Sequence, residues 1–274
     1  MHSKRKEIAA VILAALQSKK ELLKSYYNDS GKIGHFYLDE LLPTELALDI
    51  RTSFPDPSLM RIKKSLRELK FIGAQMDQYN PLLEEVIYAF QDPTIVSTIS
   101  EITGIEYLEP DEMLYAGGVS MMKKGHFLNP HLDNSHDINV DKYRVLNLLY
   151  YVSPQWGLNS GGNLELWPNG PKGQPIVIES KFNRLVVMAT NRYSWHSVSK
   201  VRSDDCRCCV SNYYFSKDSI SKENYFHVTS FRGRPEQAIR DLILRMDIKI
   251  RMLIRRVFKK GISHTGHYYD KKDE

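Results

Sequence analysis

The segment GHFLNPHLDNSHD holds His131 and Asp133 two positions apart. In an extended chain, residues i and i+2 point the same way, so both can reach one cation from one strand end. The pair needs a third ligand from elsewhere. His196, in NRYSWHSV, follows the strand-like run RLVVMAT and stands 63 residues beyond Asp133. Two histidines and one carboxylate on one face of an octahedron leave the other positions open, the arrangement of non-haem Fe(II) centres that handle O2. An H-x-D pair is weak alone, since nine histidines bring roughly 0.6 such pairs by chance. Order adds weight. Arg207 follows His196 by 11 residues and opens the strand-like RCCVSNYYF. A guanidinium there can hold a carboxylate through two parallel hydrogen bonds.

These residues sit in a stretch with β texture. From 113 to 215, short runs (MLYAGGVSMM, YRVLNLLYYV, GGNLELW, PIVIE, RLVVMAT, CRCCVSNYYFS) are separated by turn signals such as Ser160-Gly161-Gly162 and Asn169-Gly170-Pro171. That spacing predicts an all-β barrel or sandwich. Period two places Val145, Asn147, Leu149 and Tyr151 on one strand face, and Arg207, Cys209, Ser211 and Tyr213 on another. Before this region the apolar spacing predicts an amphipathic helix from residue 5 to about 27. A short strand, GHFYLDEL, and a helix opening at Pro43 follow it. Residues 81–103 read as two helices broken at Asp92-Pro93 and closed by Gly104. After Pro235 the helical pattern returns. The expected organisation is helical support over 1–109, a β core over 110–218, both in one domain, and a helical extension over 219–274.

Composition sets the outer bounds. The 274 residues are 42% hydrophobic and 26% charged, with a net charge of +5. Collagen-like, disordered and fibrous classes are excluded, and so modest a charge does not argue for nucleic acid. Cys206, Cys208 and Cys209 lie within four residues, and an odd, clustered set builds no disulfide framework. This predicts a reducing compartment. The run AAVILAAL near the N-terminus is too short to span a bilayer. The expectation is a cytoplasmic, non-membrane protein.

The motifs from Met113 to Ser216 resemble the prolyl-4-hydroxylase-like group of Fe(II)- and 2-oxoglutarate-dependent dioxygenases. The similar features are Gly125, Leu128, His131 and Asp133 as G-x-x-L-x-x-H-x-D, the strand YRVLNLLYYV ending in two tyrosines, and the Gly161-Gly162-Asn163-Leu164 strand. The distal His196, and Arg207 opening a strand that ends in aromatics, complete the set. HFYLDELLPTELALDI is similar to how such enzymes begin. The resemblance implies a double-stranded β-helix (jelly-roll) core buttressed by helices. It implies His131, Asp133 and His196 as Fe(II) ligands, with Arg207 and Tyr151 anchoring the far carboxylate of 2-oxoglutarate. Relatives usually carry a tyrosine where Met122 stands, so another donor must serve the co-substrate there, and Asn147 is the candidate. O2 is the co-substrate and ascorbate an aid in vitro. Because Asp133 is present, hydroxylation rather than halogenation is implied, with release of succinate and CO2.

Other features have plainer readings. The five-residue spacing of His126, His131 and His136 suits neither a strand face nor a helix face, which argues against a three-histidine zinc site. His126 and His136 are expected at a pocket rim or surface. The cysteine trio is expected to pack as small hydrophobes. Trp195, Tyr213, His126 and Asn134 are the candidate substrate-pocket residues, walled by loops 134–143 and 154–160 and by N-terminal elements. From Arg232 to Lys260 there are ten Lys/Arg against three Asp/Glu. The apolar stripe Ile239, Leu242, Ile243, Met246, Ile250, Leu253 and Ile254 is expected to dock on the N-terminal helices or on a second subunit, giving a homo-oligomer. The reading is an oxygenase that hydroxylates an unactivated C–H of a small molecule, the favoured class, or of a peptidyl or carrier-linked substrate. Its rivals are a cupin-like metal-dependent hydrolase or isomerase and a non-enzymatic barrel that binds a ligand or partner.

Overall fold

Apolar residues at helical spacing build five N-terminal helices: α1 (His2–Ser18), α2 (Lys20–Asp29), α3 (Thr44–Thr52), α4 (Pro81–Ala89) and α5 (Pro93–Thr103). The computed structural model describes residues 2–115, 117–257 and 269. The single helix expected from residue 5 to 27 is two helices, because Lys19 leaves helical geometry at φ −122°, ψ 13°. Helices α4 and α5 start as the sequence predicts. Pro occupies the first turn of each, and the side chains of Asn80 and Asp92 accept the N–H groups of Leu82 and Thr94. Gly104, at φ 69°, ends α5.

The strands are β1 (His35–Asp39), β2 (Arg61–Lys64), β3 (Glu68–Gly73), β4 (Glu109–Pro110), β5 (Gly118–Met122), β6 (Phe127–Leu132) and β7 (Tyr143–Tyr151). They continue as β8 (Leu164–Leu166), β9 (Ile176–Ile178), β10 (Arg184–Ala189), β11 (His196–Val198), β12 (Arg207–Ser216) and β13 (Ser230–Phe231). The main path runs β1-β10-β7-β12-β5-β3-β6-β11-β8-β9, with antiparallel pairing throughout. This sheet curls into a half-barrel flanked by helices, the jelly-roll core expected. The region expected to be helical support also supplies β1, β2 and β3 to that sheet.

Alternation along the central strands divides the interior in two. Leu146, Leu148 and Tyr150 of β7, Leu185 and Val187 of β10, and Cys208, Val210 and Tyr214 of β12 face Ile8, Ile12, Leu83, Ile87, Ile95 and Ile99 of the helices. Tyr151, Val186, Met188 and Cys209 turn to the opposite side, with Leu164 and Leu166. Cys208 and Cys209 are both buried, on opposite faces of β12, and burial pushes both thiols up, Cys208 to about 12. That is the packing role expected of them.

One residue breaks the alternation. Tyr214 pairs with Leu146 and Phe215 with Arg144, so Val145 is an extra residue in β7. Val145 packs among the helix-facing residues, not beside Asn147 as period two requires. A bulge of this kind shifts every residue beyond it to the other face. Arg144 thereby points inward.

The apolar stripe of the C-terminal helix α6 (Ala238–Val257) does not dock on the N-terminal helices, one of the two expected partners. Ile239 (79%), Leu242 (62%), Met246 (58%), Ile250 (56%) and Leu253 (62%) are exposed rather than packed on α1–α5. The polar side faces the barrel. Asp241 accepts from Arg232 at 2.6 and 3.0 Å, Asp247 pairs with Arg67, and Arg251 pairs with Asp247 at 2.8 Å. Leu244, 2% exposed, is the apolar anchor, packed with Met122, Leu128 and Phe231. Amphipathicity located the stripe but not the side that docks. Lys259 and Lys260 lie outside the described residues. This orientation predicts that Leu244→Ala costs about 2–5 kcal/mol, whereas Leu242→Glu stays within about 0.5 kcal/mol of the parent chain. Urea unfolding midpoints decide it. A larger cost for Leu242→Glu would reverse the assignment of the two faces.

Candidate metal centre

Strand β6 delivers His131, and Asp133 lies just past its end. Strand β11 begins at His196, whose backbone pairs directly with His131. The imidazole Nε2 of His131 lies 3.6 Å from Asp133 Oδ1, and Nε2 of His196 lies 3.6 Å from Asp133 Oδ2. The two rings are 4.1 Å apart between centroids. One ligand atom from each residue fits within 4.8 Å of the others, and this is the only such His/Cys/Asp/Glu group among the described residues.

The surroundings fit a metal ion. Nδ1 of His131 lies 3.0 Å from the Asn129 carbonyl, and Nδ1 of His196 lies 2.9 Å from the Ser194 carbonyl. A carbonyl accepts only, so each Nδ1 carries the proton and each Nε2 presents a lone pair to the centre. Phe231 stacks on His131 with centroids 5.0 Å apart. Burial pushes the His131 imidazole down to about 3, so it is neutral at neutral pH. Burial opposes the charge on Asp133, yet the Arg144 guanidinium and the Asn147 amide hold its carboxyl well below the usual range. Asn147 Nδ2 donates to Asp133 Oδ2 at 2.9 Å, and Arg144 Nη1 stands 3.6 Å from Oδ1. Three ligands converging on one face leave the remaining coordination positions to small molecules.

Arg207 is 3% exposed. Its Nε donates to Ser180 Oγ at 3.1 Å, its guanidinium lies 4.7 Å over the Tyr151 ring, and Met122 sulfur is 3.8 Å from Nη1. Among the described residues no carboxylate pairs with it. An uncompensated buried cation is costly, and beside it the buried Tyr151 hydroxyl, near Ser180 and Arg207, has no partner at normal hydrogen-bond distance among the described residues. Burial pushes that phenol up to about 12, with Arg207 opposing. A buried guanidinium and a phenol lacking an acceptor fit a bound carboxylate. The Gly161-Gly162 pair shapes this corner. Both have positive φ, at 68° and 65°, and a Cβ on Gly162 would meet Arg207 Cδ at 2.8 Å.

A cavity of about 430 Å3 opens over His131 and Asp133, walled by β2, β3, β5, β12, Asn134, Arg144 and Arg251. Of the four candidate pocket residues, Tyr213 and Asn134 line it. Trp195 does not, because it lies in a groove against Leu242, Met246 and Lys249 of α6. Nor does His126, which is buried against Phe71 at 5.2 Å. His136 is also buried, its ring tilted against that of Tyr143 with centroids 4.2 Å apart. Residues 154–160 do not border the cavity. Asn147 spends its amide N–H on Asp133, which places it as a support of the metal ligand. Sequence reasoning missed Arg144, Phe231, Lys63 and Lys70. The one legible signal was a lone arginine inside the apolar run YRVLNLLYYV.

Two outcomes follow from this geometry. Removing a group that orients a ligand costs roughly 10–100-fold in metal affinity, so Asn147→Ala should weaken Mn(II) binding by that factor in a competitive titration. Unchanged affinity would take Asn147 out of the centre. The second concerns pH. Burial lowers the pKa of His126, His131, His136 and His227 alike. Below about 6.5 the unfolded chain binds protons that the folded one refuses, so stability falls with falling pH. The urea midpoint of the metal-free chain should be lower at pH 5 than at pH 7.5, and an equal or higher midpoint at pH 5 would contradict it.

The 2OG-Fe(II) oxygenase superfamily profile matches residues 117–215. Prolyl 3-hydroxylase OGFOD1 of Xenopus laevis is 36% identical over 84 residues, a match that takes in 29% of this chain and 16% of that protein. The chain therefore spans under a fifth of that relative's length. A Pseudomonas putida prolyl-4-hydroxylase structure superposes with a TM-score of 0.52 at 18% identity, covering 71% of this chain and 98% of its own. A Trichoplax adhaerens prolyl hydroxylase, solved with a hypoxia inducible factor oxygen degradation domain peptide, gives 0.52 at 20% identity, covering 74% and 92%. Both share the fold. The profile match lies across β5 to β12, so the stretch that carries His131, Asp133, His196 and Arg207 is the part of the chain similar to the 2OG-Fe(II) oxygenase superfamily.

Proposed function

We propose that the chain is an Fe(II)- and 2-oxoglutarate-dependent hydroxylase of an unactivated C–H bond. The observation that carries this reading is the buried His131–Asp133–His196 face opening on a cavity, with the carboxylate-free Arg207 inside the same barrel. His131, Asp133 and His196 would hold the iron. Asn147 and Arg144 keep Asp133 ionised and oriented, and the Asn129 and Ser194 carbonyls fix the imidazoles. Arg207 and Tyr151 would take the far carboxylate of 2-oxoglutarate. When bound, the iron supplies oxidation by O2 coupled to conversion of 2-oxoglutarate to succinate and CO2. The half-barrel supplies ligand geometry and a recessed cavity.

The names of the relatives favour a prolyl ring in a peptide as the first substrate class to test, ahead of the free small molecule expected from the sequence. No helix of the described residues is long and apolar enough to cross a membrane.

Mixing the chain with Fe(II), ascorbate, 2-oxoglutarate and O2 should release succinate even without a prime substrate, and His131→Ala or Asp133→Ala should abolish it. Arg207→Ala should raise the 2-oxoglutarate requirement roughly ten- to hundredfold, since a charge-assisted contact contributes about 1.5–3 kcal/mol. Arg207→Lys should restore part of this, because a point charge replaces a planar fork. Full succinate release in both metal-ligand variants would end the iron reading. An unchanged requirement in Arg207→Ala would place the anchor elsewhere.

A further inference from the structure

The hairpin β2–β3 carries a pairing that costs stability. Lys63 stands directly opposite Lys70 in the antiparallel register, and both line the cavity over the metal ligands. Like charges in facing positions repel. Among the described residues only one local carboxylate relieves them: Glu68 Oε2 lies 3.1 Å from Lys70 Nζ, and Lys63 has no ion pair of its own. Burial pushes the Lys63 ammonium down; Glu68 opposes this, while Lys70 and Arg61 reinforce it. Arg67 and Arg251 bring two further guanidinium groups to the same cavity and share Asp247 between them. Arg144 is turned to Asp133. The lining thus holds more cations than the carboxylates beside it neutralise. A chain retains such an excess at a recessed site when a ligand supplies the missing charge.

We propose that Lys63 and Lys70, with Arg67 and Arg251, form a receptor for an anionic group on the substrate, a carboxylate or a phosphate. This rests on the oxygenase reading for where the substrate lies, and it assigns the substrate class. The molecule oxidised at His131–Asp133–His196 carries negative charge near the reacting carbon. Arg207 is excluded from this receptor, since it stacks on Tyr151 and does not line the cavity. The β2–β3 hairpin is then a specificity element as well as an extension of the sheet.

The test is calorimetric titration of the Mn(II)-loaded full chain with tetraglutamate, tetraglutamine and an O-phosphoserine tetrapeptide. At least one acidic peptide should bind tenfold or more tightly than tetraglutamine. Preference for tetraglutamate assigns a carboxylate source, and preference for the phosphopeptide assigns a phosphate source. Lys63→Gln and Lys70→Gln should each remove most of the preference. Lys124→Gln, which removes an exposed cation paired with Asp204, should leave it intact. Arg207→Gln should lose 2-oxoglutarate binding and keep the preference. Because Lys63 opposes a like charge, Lys63→Gln should melt no lower than the parent chain, a readout that a purely structural lysine would move the other way. Equal binding of all three peptides, a preference that survives both lysine substitutions, or a lower melting temperature for Lys63→Gln would overturn the proposal. A chain that prefers acidic peptides but releases no succinate sinks the oxygenase reading alone. A chain that releases succinate without any charge preference sinks this inference alone.

Discussion

A carboxylate sealed inside a barrel stays ionised only where positive charge and hydrogen-bond donors surround it. Asp133 meets that condition through Arg144 and Asn147 of β7, and His131 of β6 and His196 of β11 complete the centre around it. Each depends on a different backbone device. His131 and His196 face each other because β6 and β11 pair at those residues. Asn147 faces inward by simple alternation. Arg144 does so only because Val145 is inserted into the strand. The centre is therefore a property of strand registers, and the helical layer acts on it indirectly, by covering the opposite face of β7, β10 and β12.

How much of this was legible follows from what each signal encodes. The His131-x-Asp133 pair, the distal His196 and the strand-opening Arg207 are local patterns, so the residue types and their order were readable. So were the caps of α4 and α5, whose Asn or Asp followed by Pro acts within one turn. The alternation of β12 carried over to the structure because nothing interrupts it before Phe215. Three things were not readable. A bulge leaves no residue signature here, so Val145 was placed on the wrong face and Arg144 went unnoticed. The hairpin RIKKSLRELKFIG is so polar that its period-two pattern does not resemble a sheet strand, because the face it presents to the cavity is charged rather than apolar. The amphipathic pattern of α6 defines two faces and leaves open which one packs. Ion pairs from Asp241 and Asp247 settled that against the usual rule.

The pocket residues divide on the same principle. Tyr213 and Asn134 sit where strand geometry carries them, next to the metal ligands in space. Trp195 is adjacent to His196 in sequence, and β alternation sends adjacent residues to opposite sides. Its indole reaches the α6 groove instead. Proximity along a strand is thus a poor guide to a shared site, and spacing by two is a better one.

The inserted Val145 also limits how this strand can be reused. A chimera that replaced β7 with a regular strand of equal apolarity would keep the hydrogen-bonding ladder and look sound by its hydrophobic pattern. Its arginine would then turn toward Leu146's neighbours among the helices, an ionised group in a hydrocarbon layer. The transferable unit is the bulged strand together with the end of β12 that accommodates it, and grafting between related barrels has to move the two as one piece.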